Sequence, residues 1–535
     1  MNELKKLIIN GVSYTIRDDS AARANLFYTS LSSAVADLND GATDNAVTDS
    51  NSAVEVFTAE NGEKIVRLLA DVSESALIEV DVDMTLVLNG HTLNLTTAEA
   101  YLNFAEGTNC TINGEVPGSA IKKEGVTGTS SLSTCITVNA RGKKFKAVGG
   151  LYTLKGSIAK LAMCFRVNDV CEEFLLDGAT VDVENTKATA SAAKGIQSQG
   201  PRTVLRNTTF AVTSQGKSTT VHIVSANGAA EISNCDITSV TTVDASGVQS
   251  VAVDMTATYK VENSTITASG YVAGGILSKG HGNIANSTIT AAGFKAQGID
   301  NSSCAVVVNS NVFTDAHGAH TDNGSSNAIG IASQSAATLV CIDTNATGTH
   351  SGIQNSGDLF VKGGTFSGYS HGGFYFVHGT ENKVYINNAV MRFGVYEGSF
   401  EDFDSNDTTH RAEALAGFYM GLDSLDSPGI SVYMDSCTIE GQGGEPFVVR
   451  AGAEGKTNTL YISNTVNNAT ATKPIRLNKD QTTNRAEMKI GVGCNFTPAD
   501  TCNPPYAEET GKLYRRIKDD MPMDGRDFNA LMTMQ

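Results

Sequence analysis

Through most of the chain, single apolar residues alternate with Ser, Thr and other polar residues in short runs, and each run ends at a polar corner. The pattern reads GIQSQGPRTVLRNTTF from Gly195, GILSKGHGNIANSTIT from Gly275 and GIDNSSCAVVVNSNVF from Gly298. It returns as GIASQSAATLVCIDTN from Gly330 and GIQNSGDLFVKGGTF from Gly352. The corner falls at Asn207, Asn234, Asn263, Asn286 and Asn309, and less strictly at Asp343, Gly363, Asn387, Asp435 and Ser463. Weaker copies stand at Asn89 and Asp177. Corner spacings run from 20 to 34 residues, with one interval of 48 that reads as two units and an insertion.

Alternation with period two predicts strands with one buried face. A unit of about three short strands cannot bury that face alone, but stacked units can. The expected fold is therefore all-β: a right-handed parallel β-helix with Ile266, Ile289 and Val312 inside it. Asn tolerates the left-handed backbone of a sharp corner, and its amide can bond to the Asn of the next coil. The Asn column thus reads as a structural ladder. The domain reading is a small N-terminal attachment element at 1–40, a β-helix shaft at 41–484 with an insertion at 394–427, and an irregular C-terminal cap or oligomerisation segment at 485–535. Pro498, Pro504, Pro505 and Pro522 fall in that last segment.

Composition narrows the functions. Against 39 Lys and Arg stand 57 Asp and Glu, a net charge of −18. A nucleic-acid binder must neutralise phosphates with cations, so that class is disfavoured, as is an anionic membrane surface. No stretch is apolar enough to span a membrane, and Leu7–Ile9 is cut short by Asn10 and Gly11, so no signal peptide is expected. The ten cysteines form no CxxC pair. Cys235, Cys341 and Cys437 sit in apolar runs and read as reduced core residues. Cys494 and Cys502 are the one pair placed to bridge.

At the N-terminus, LIINGVSYTI predicts a hairpin turning at Asn10-Gly11. SLSSAVADL, with Leu31, Val35 and Leu38, has helical spacing. The segment KKLIINGVSYTIRDDSAARANL resembles the short N-terminal element of phage virion proteins, especially tail and head fibres. The resemblance is carried by Asn10, Gly11, Val12, Tyr14, Ile16, Arg17, Asp18, Ala22 and Arg23. It implies attachment to other virion proteins through residues 1–40. The stretch from Tyr28 to Leu95 is similar to the opening coils of parallel β-helices in bacterial surface proteins and phage spikes. Fibres of this kind are usually homotrimers, so the resemblance implies a trimer in the virion.

Candidate chemistry is scattered. Tyr271, Phe294, His317 and His371 each lie eight residues past a corner, and His350 lies seven past. Equal offsets stack in a β-helix, so these rings predict one column suited to an extended host glycan. In the insertion, Tyr396, Phe400 and Phe403 are further candidate platforms for sugar. Asp402, Asp404, Asn406, Thr408, His410 and Glu413 fall at positions 1, 3, 5, 7, 9 and 12 of an EF-hand-like loop, which makes calcium the candidate metal; no other cofactor is expected. Asp407 occupies the position where that loop needs Gly. Glycoside hydrolysis needs two carboxyls. Asp315 and Asp322, flanking His317 and His320, are the catalytic candidates; Glu79, Asp81 and Asp83 read as an acidic strand face.

Three functions compete on the sequence. The first is a phage tail fibre, tailspike or head fibre whose β-helix binds a host surface glycan without chemistry. The second is a polysaccharide depolymerase, hydrolase or lyase, on the same scaffold. The third is a bacterial surface adhesin.

Overall fold

The computed structural model describes residues 5–9, 12–16, 25–47, 52–105, 107–129, 132–140, 143–187, 191–243, 247–316, 328–368, 371–377, 382–394, 416–421, 429–441, 446–449, 456–469, 475–477, 485–490, 493–496 and 511–515. It is a right-handed parallel β-helix. The chain divides into two compact units, 1–266 and 267–535.

In the first unit every coil contributes a strand to each of three parallel sheets. One coil, for example, runs through Arg202–Arg206, Thr209–Ser214 and Lys217–Ile223. The next runs through Ala229–Ser233, Asp236–Thr241 and Gln249–Met255, each strand in register with its counterpart. Inward residues are apolar and fully buried, as with Leu205, Ile232 and Val261 in one sheet and Phe210 and Ile237 in the next. Before the coils begin, the helix Leu31–Asp40 is capped by the Ser30 hydroxyl and ended by Gly41 at φ 64°. It covers the first turn, with the Asn39 amide donating to the Glu79 carbonyl at 2.9 Å. Lys5–Ile9 and Val12–Ile16 pair antiparallel as a separate two-stranded sheet, as the Asn10-Gly11 turn predicts.

The second unit repeats the three-sheet plan. Its strands include Cys304–Val308, Asn311–Ala316 and Ala328–Ser333, followed by Thr338–Ile342, Asn345–Gly348 and Ser351–Asn355. The core positions expected at Ile289 and Val312 are buried, as is Ile266, the last residue of the first unit. The 48-residue interval is one coil and not two: Lys383–Asn387 and Ser431–Asp435 are hydrogen-bonded neighbours, with Asn387 opposite Asp435. Part of the expected insertion, Phe418–Met420, is that coil's strand in the third sheet. Parallel pairing also continues past 484. Arg485–Ile490 lies on Thr457–Ser463, and Gly511–Arg515 lies on Arg485–Ile490, because Ala486, Met488 and Ile490 keep the inward alternation. The expected change at 485 is therefore not the end of the ladder.

The corners explain the repeat. Asn89, Asn207, Asn234, Asn263, Asn286, Asn309 and Asp343 all have φ between 45° and 53°. At four later or weaker corners the left-handed residue is one place beyond the expected one: Gly178, Asn388, Ser436 and Asn464. The physical reason is the residue that follows. It is small at every one of these corners, and where it is Ser, Thr or Cys it is buried and turned back on the chain. The hydroxyls of Thr208, Ser264, Ser287, Ser310 and Thr465 each donate to the carbonyl two residues earlier at 2.8 Å. The thiols of Cys235 and Cys437 do the same at 3.3 and 3.2 Å. The left-handed position is therefore fixed by the small residue after it, and the preceding Asp177, Asn387 and Asp435 are left to bond between coils.

Those bonds form the expected ladder. Asn207 Nδ2 donates to Asp177 Oδ1 at 2.8 Å, Asn234 Nδ2 to Asn207 Oδ1 at 3.3 Å, and Asn309 Nδ2 to Asn286 Oδ1 at 2.8 Å. A second amide column was not foreseen. Asn168 donates to Asn139, Asn139 to Asn103 at 2.7 Å, and Asn103 to both oxygens of Glu79 at 2.7 and 2.8 Å. Glu79 thus ends a ladder.

A bend in the third sheet is built from small residues. Cys135, Cys164, Gly195, Thr220 and Ala252 stack there in the first unit, and Gly275, Gly298, Gly330 and Gly352 in the second. At Gly298 a Cβ would stand 2.2 Å from Val312 Cγ1 and 2.6 Å from the Gly330 carbonyl oxygen. The Gly-Ile pairs that open each repeat mark this close approach. Nine cysteines, Cys494 among them, are free thiols, most of them buried; Cys502 lies outside the described residues.

Candidate functional site: ring columns on the second unit

The predicted ring positions fall just ahead of successive strands of the third sheet. Tyr271 and Phe294 stack with centroids 5.0 Å apart and planes at 19°. His350 and His371 stack at 4.1 Å and 20°. The His371 amide donates to the His350 carbonyl at 2.8 Å, so the backbone ladder itself sets the ring spacing. His317 lies outside the described residues, as do Asp322, Tyr396, Phe400, Phe403, Asp402, Asp404, Asn406, Thr408, His410 and Glu413.

Two tyrosines enlarge the histidine pair. Tyr375 lies 4.5 Å from His371 and 5.3 Å from His350, and Tyr419 lies 5.1 Å from His371 and 5.4 Å from Tyr375. Burial among these rings pushes His350 down to about 4, so it is uncharged at neutral pH. Its Nδ1 is 3.2 Å from the Ser351 hydroxyl. The cluster is therefore an apolar, polarisable patch in which the His350, His371 and Tyr375 rings are half-buried and Tyr419 is packed into the core with Ala416 and Val448.

A second column was not anticipated. Phe360, Tyr385, Tyr433 and Tyr461 occupy one register on the outer side of the first sheet. Their centroids are 5.7, 5.3 and 4.7 Å apart, and their planes lie within 16° of parallel. Each is flanked by two inward aliphatic residues, such as Val384 and Ile386 around Tyr385. Lys489 closes the column: its Nζ sits 4.7 Å over the Tyr461 ring and donates to the Tyr461 hydroxyl at 3.1 Å. Burial beside the neighbouring phenols raises the Tyr433 pKa, so its hydroxyl remains a donor at neutral pH. All four rings stand three residues before a left-handed corner, at Gly363, Asn388, Ser436 and Asn464. The signal was present in the sequence, but ahead of the corner rather than after it.

Asp315 is buried on strand Asn311–Ala316, with Ala292 opposite it. The Asp83 carboxylate accepts from the Asn109 backbone N–H at 2.6 Å and Glu79 terminates the amide column, so these two carboxylates are committed to structure. Among the described residues no group of three His, Cys, Asp or Glu side chains is placed to hold a metal ion. No helix among them is long and apolar enough to cross a membrane.

No family model matches the chain, and no curated protein matches it. Among solved structures the chain is similar to the Dettilon tailspike protein, with 13% identity and a TM-score of 0.27. The match covers 81% of this chain and 62% of that one. With so low a TM-score, no function is carried across.

Proposed function

We propose that the chain is a structural component of a phage virion, a tail fibre, tailspike or head fibre, and that its β-helix binds a host surface glycan. The two ring columns carry the reading. They line up aromatic edges and hydroxyls at a repeat close to one sugar residue, the mixture of apolar surface and directed polar groups that saccharides require. The N-terminal resemblance to phage fibres, on a segment that pairs as a hairpin of its own, supports attachment to other virion proteins. A homotrimer is the assembly proposed with it.

A depolymerase on the same scaffold is the second reading, favoured by the buried carboxylate of Asp315. Its proposed partner is Asp322. The insertion loop with Asp402, Asp404, Asn406 and Glu413 is the proposed calcium site.

The test is incubation of the purified protein with host surface polysaccharide. Retention of the polysaccharide without shortening supports the binder, and shortened chains support the depolymerase. Absence of both refutes the glycan reading.

A further inference from the structure

The first unit carries a groove of about 840 Å³ along its corner, lined in part by Glu115, Val116, Lys122, Gly149, Gly150 and Asp177. Its width comes from the Gly149–Gly150 corner. Both residues have positive φ, at 64° and 82°. A Cβ on Gly149 would stand 2.9 Å from the Glu115 backbone. Behind this bare stretch of wall lies Tyr152. Its ring is fully buried, 4.9 Å from Phe165, and its hydroxyl stands 3.6 Å from where a Cβ on Gly150 would be. That hydroxyl has no hydrogen-bond partner. It is shut in behind the wall and does not line the groove, so the groove's polar groups are those of its own lining side chains.

The charges of the lining are unequal in their commitments. Asp177 is held by Arg206 at 2.9 Å and by the Asn207 amide at 2.8 Å. Glu115 accepts from the Asn113 amide at 3.0 Å. Lys122, half-buried, makes no ion pair or hydrogen bond among the described residues. Val116 adds an apolar surface that is 44% exposed.

We infer that this groove binds a saccharide unit bearing a carboxylate, with Lys122 pairing the carboxylate beside the bare Gly149–Gly150 corner. Glu115 accepts from sugar hydroxyls, and Val116 packs against the sugar's C–H face. The site uses none of the ring-column residues and does not depend on them.

The test is calorimetric titration of the whole protein with uronic- and sialic-acid oligosaccharides beside their carboxyl-reduced counterparts. The expected result is that a carboxylated member binds, that its reduced counterpart binds at least tenfold more weakly, and that added salt weakens the former. Lys122→Gln is expected to weaken binding at least tenfold. Tyr433→Ala is expected to leave this binding intact, which separates the groove from the ring columns. The inference is overturned if no carboxylated member binds, if the reduced counterparts bind equally well, or if Lys122→Gln binds like the parent protein.

Discussion

Asn207 separates two effects that the corners combine. It holds φ at 51°, and its amide both donates to Asp177 and accepts from Asn234. Asn207→Gly keeps the backbone at ease and removes the amide. Asn207→Ala removes the amide and forces a Cβ into the left-handed region. The side chain is exposed, so its two bonds together are worth about 1 kcal/mol. Placing alanine in the left-handed region adds roughly 1–2 kcal/mol. The glycine variant should therefore lose about 1 kcal/mol plus roughly 0.4–1 kcal/mol for its freer unfolded chain, and the alanine variant about 2–3 kcal/mol. Urea unfolding of both variants, followed by circular dichroism with an unchanged slope, measures the gap. Equal losses would show that backbone strain does not select Asn at this corner. A larger loss for glycine would reverse the reasoning altogether.

Tyr433→Ala removes two stacked contacts, at 5.3 and 4.7 Å, each worth roughly 0.5–1.5 kcal/mol, and should cut host-glycan retention at least tenfold while Tyr433→Phe keeps the stack; parent-like retention by the alanine variant would remove the column from the site. Gly298→Ala should cost about 3 kcal/mol or more, since the Gly330 carbonyl cannot retreat from the new methyl, and a midpoint shift under 1 kcal/mol in urea would contradict the close packing. Burial raises the thiols of Cys110, Cys171 and Cys235 to about 11 and that of Cys437 to about 12. Folded values above the unfolded one give stability that is whole below about pH 8.5 and is lost as pH climbs toward 11, at roughly 1.4 kcal/mol per thiol per unit. A stability profile that stays flat from pH 8 to 10.5, or that falls just as steeply once these four are changed to alanine, would count against that assignment.

The architecture was legible because two signals agree along the chain. Period-two alternation marks the inward residues, and a residue tolerant of positive φ recurs at each corner. Ile266, Ile289 and Val312 were found by the first signal and Asn207 through Asn309 by the second. The reading slipped where two corner-competent residues adjoin, as in Asn387-Asn388 and Asp435-Ser436. There the deciding feature is the buried Ala389 or Cys437 that follows, a packing constraint that propensity does not express. The long interval before Asp435 was misread as two units because loop length says nothing about pairing, whereas the strand register makes Asn387 and Asp435 neighbours. At the rings, equal offsets after the corner placed Tyr271 over Phe294, and offsets of seven and eight placed His350 over His371. The tyrosine column was missed because each of its members sits between two core aliphatics and reads as one more core residue. The groove was illegible for a different reason: it is made by what Gly149 and Gly150 lack.

The amide columns have a direction. In the first unit each asparagine gives its protons to the coil before it, and both chains of dipoles run head to tail until a carboxylate, Glu79 or Asp177, receives them. Near the other end of the sequence, Asn387 and Asn464 point at Asp435 from opposite sides. Aligned amides polarise one another, so the terminal acceptor feels the whole chain and is best served by an anion. Growth by duplication is consequently asymmetric. A new asparagine coil added downstream of Asn168 finds an acceptor waiting, whereas one inserted ahead of Glu79 would have to bring its own acid.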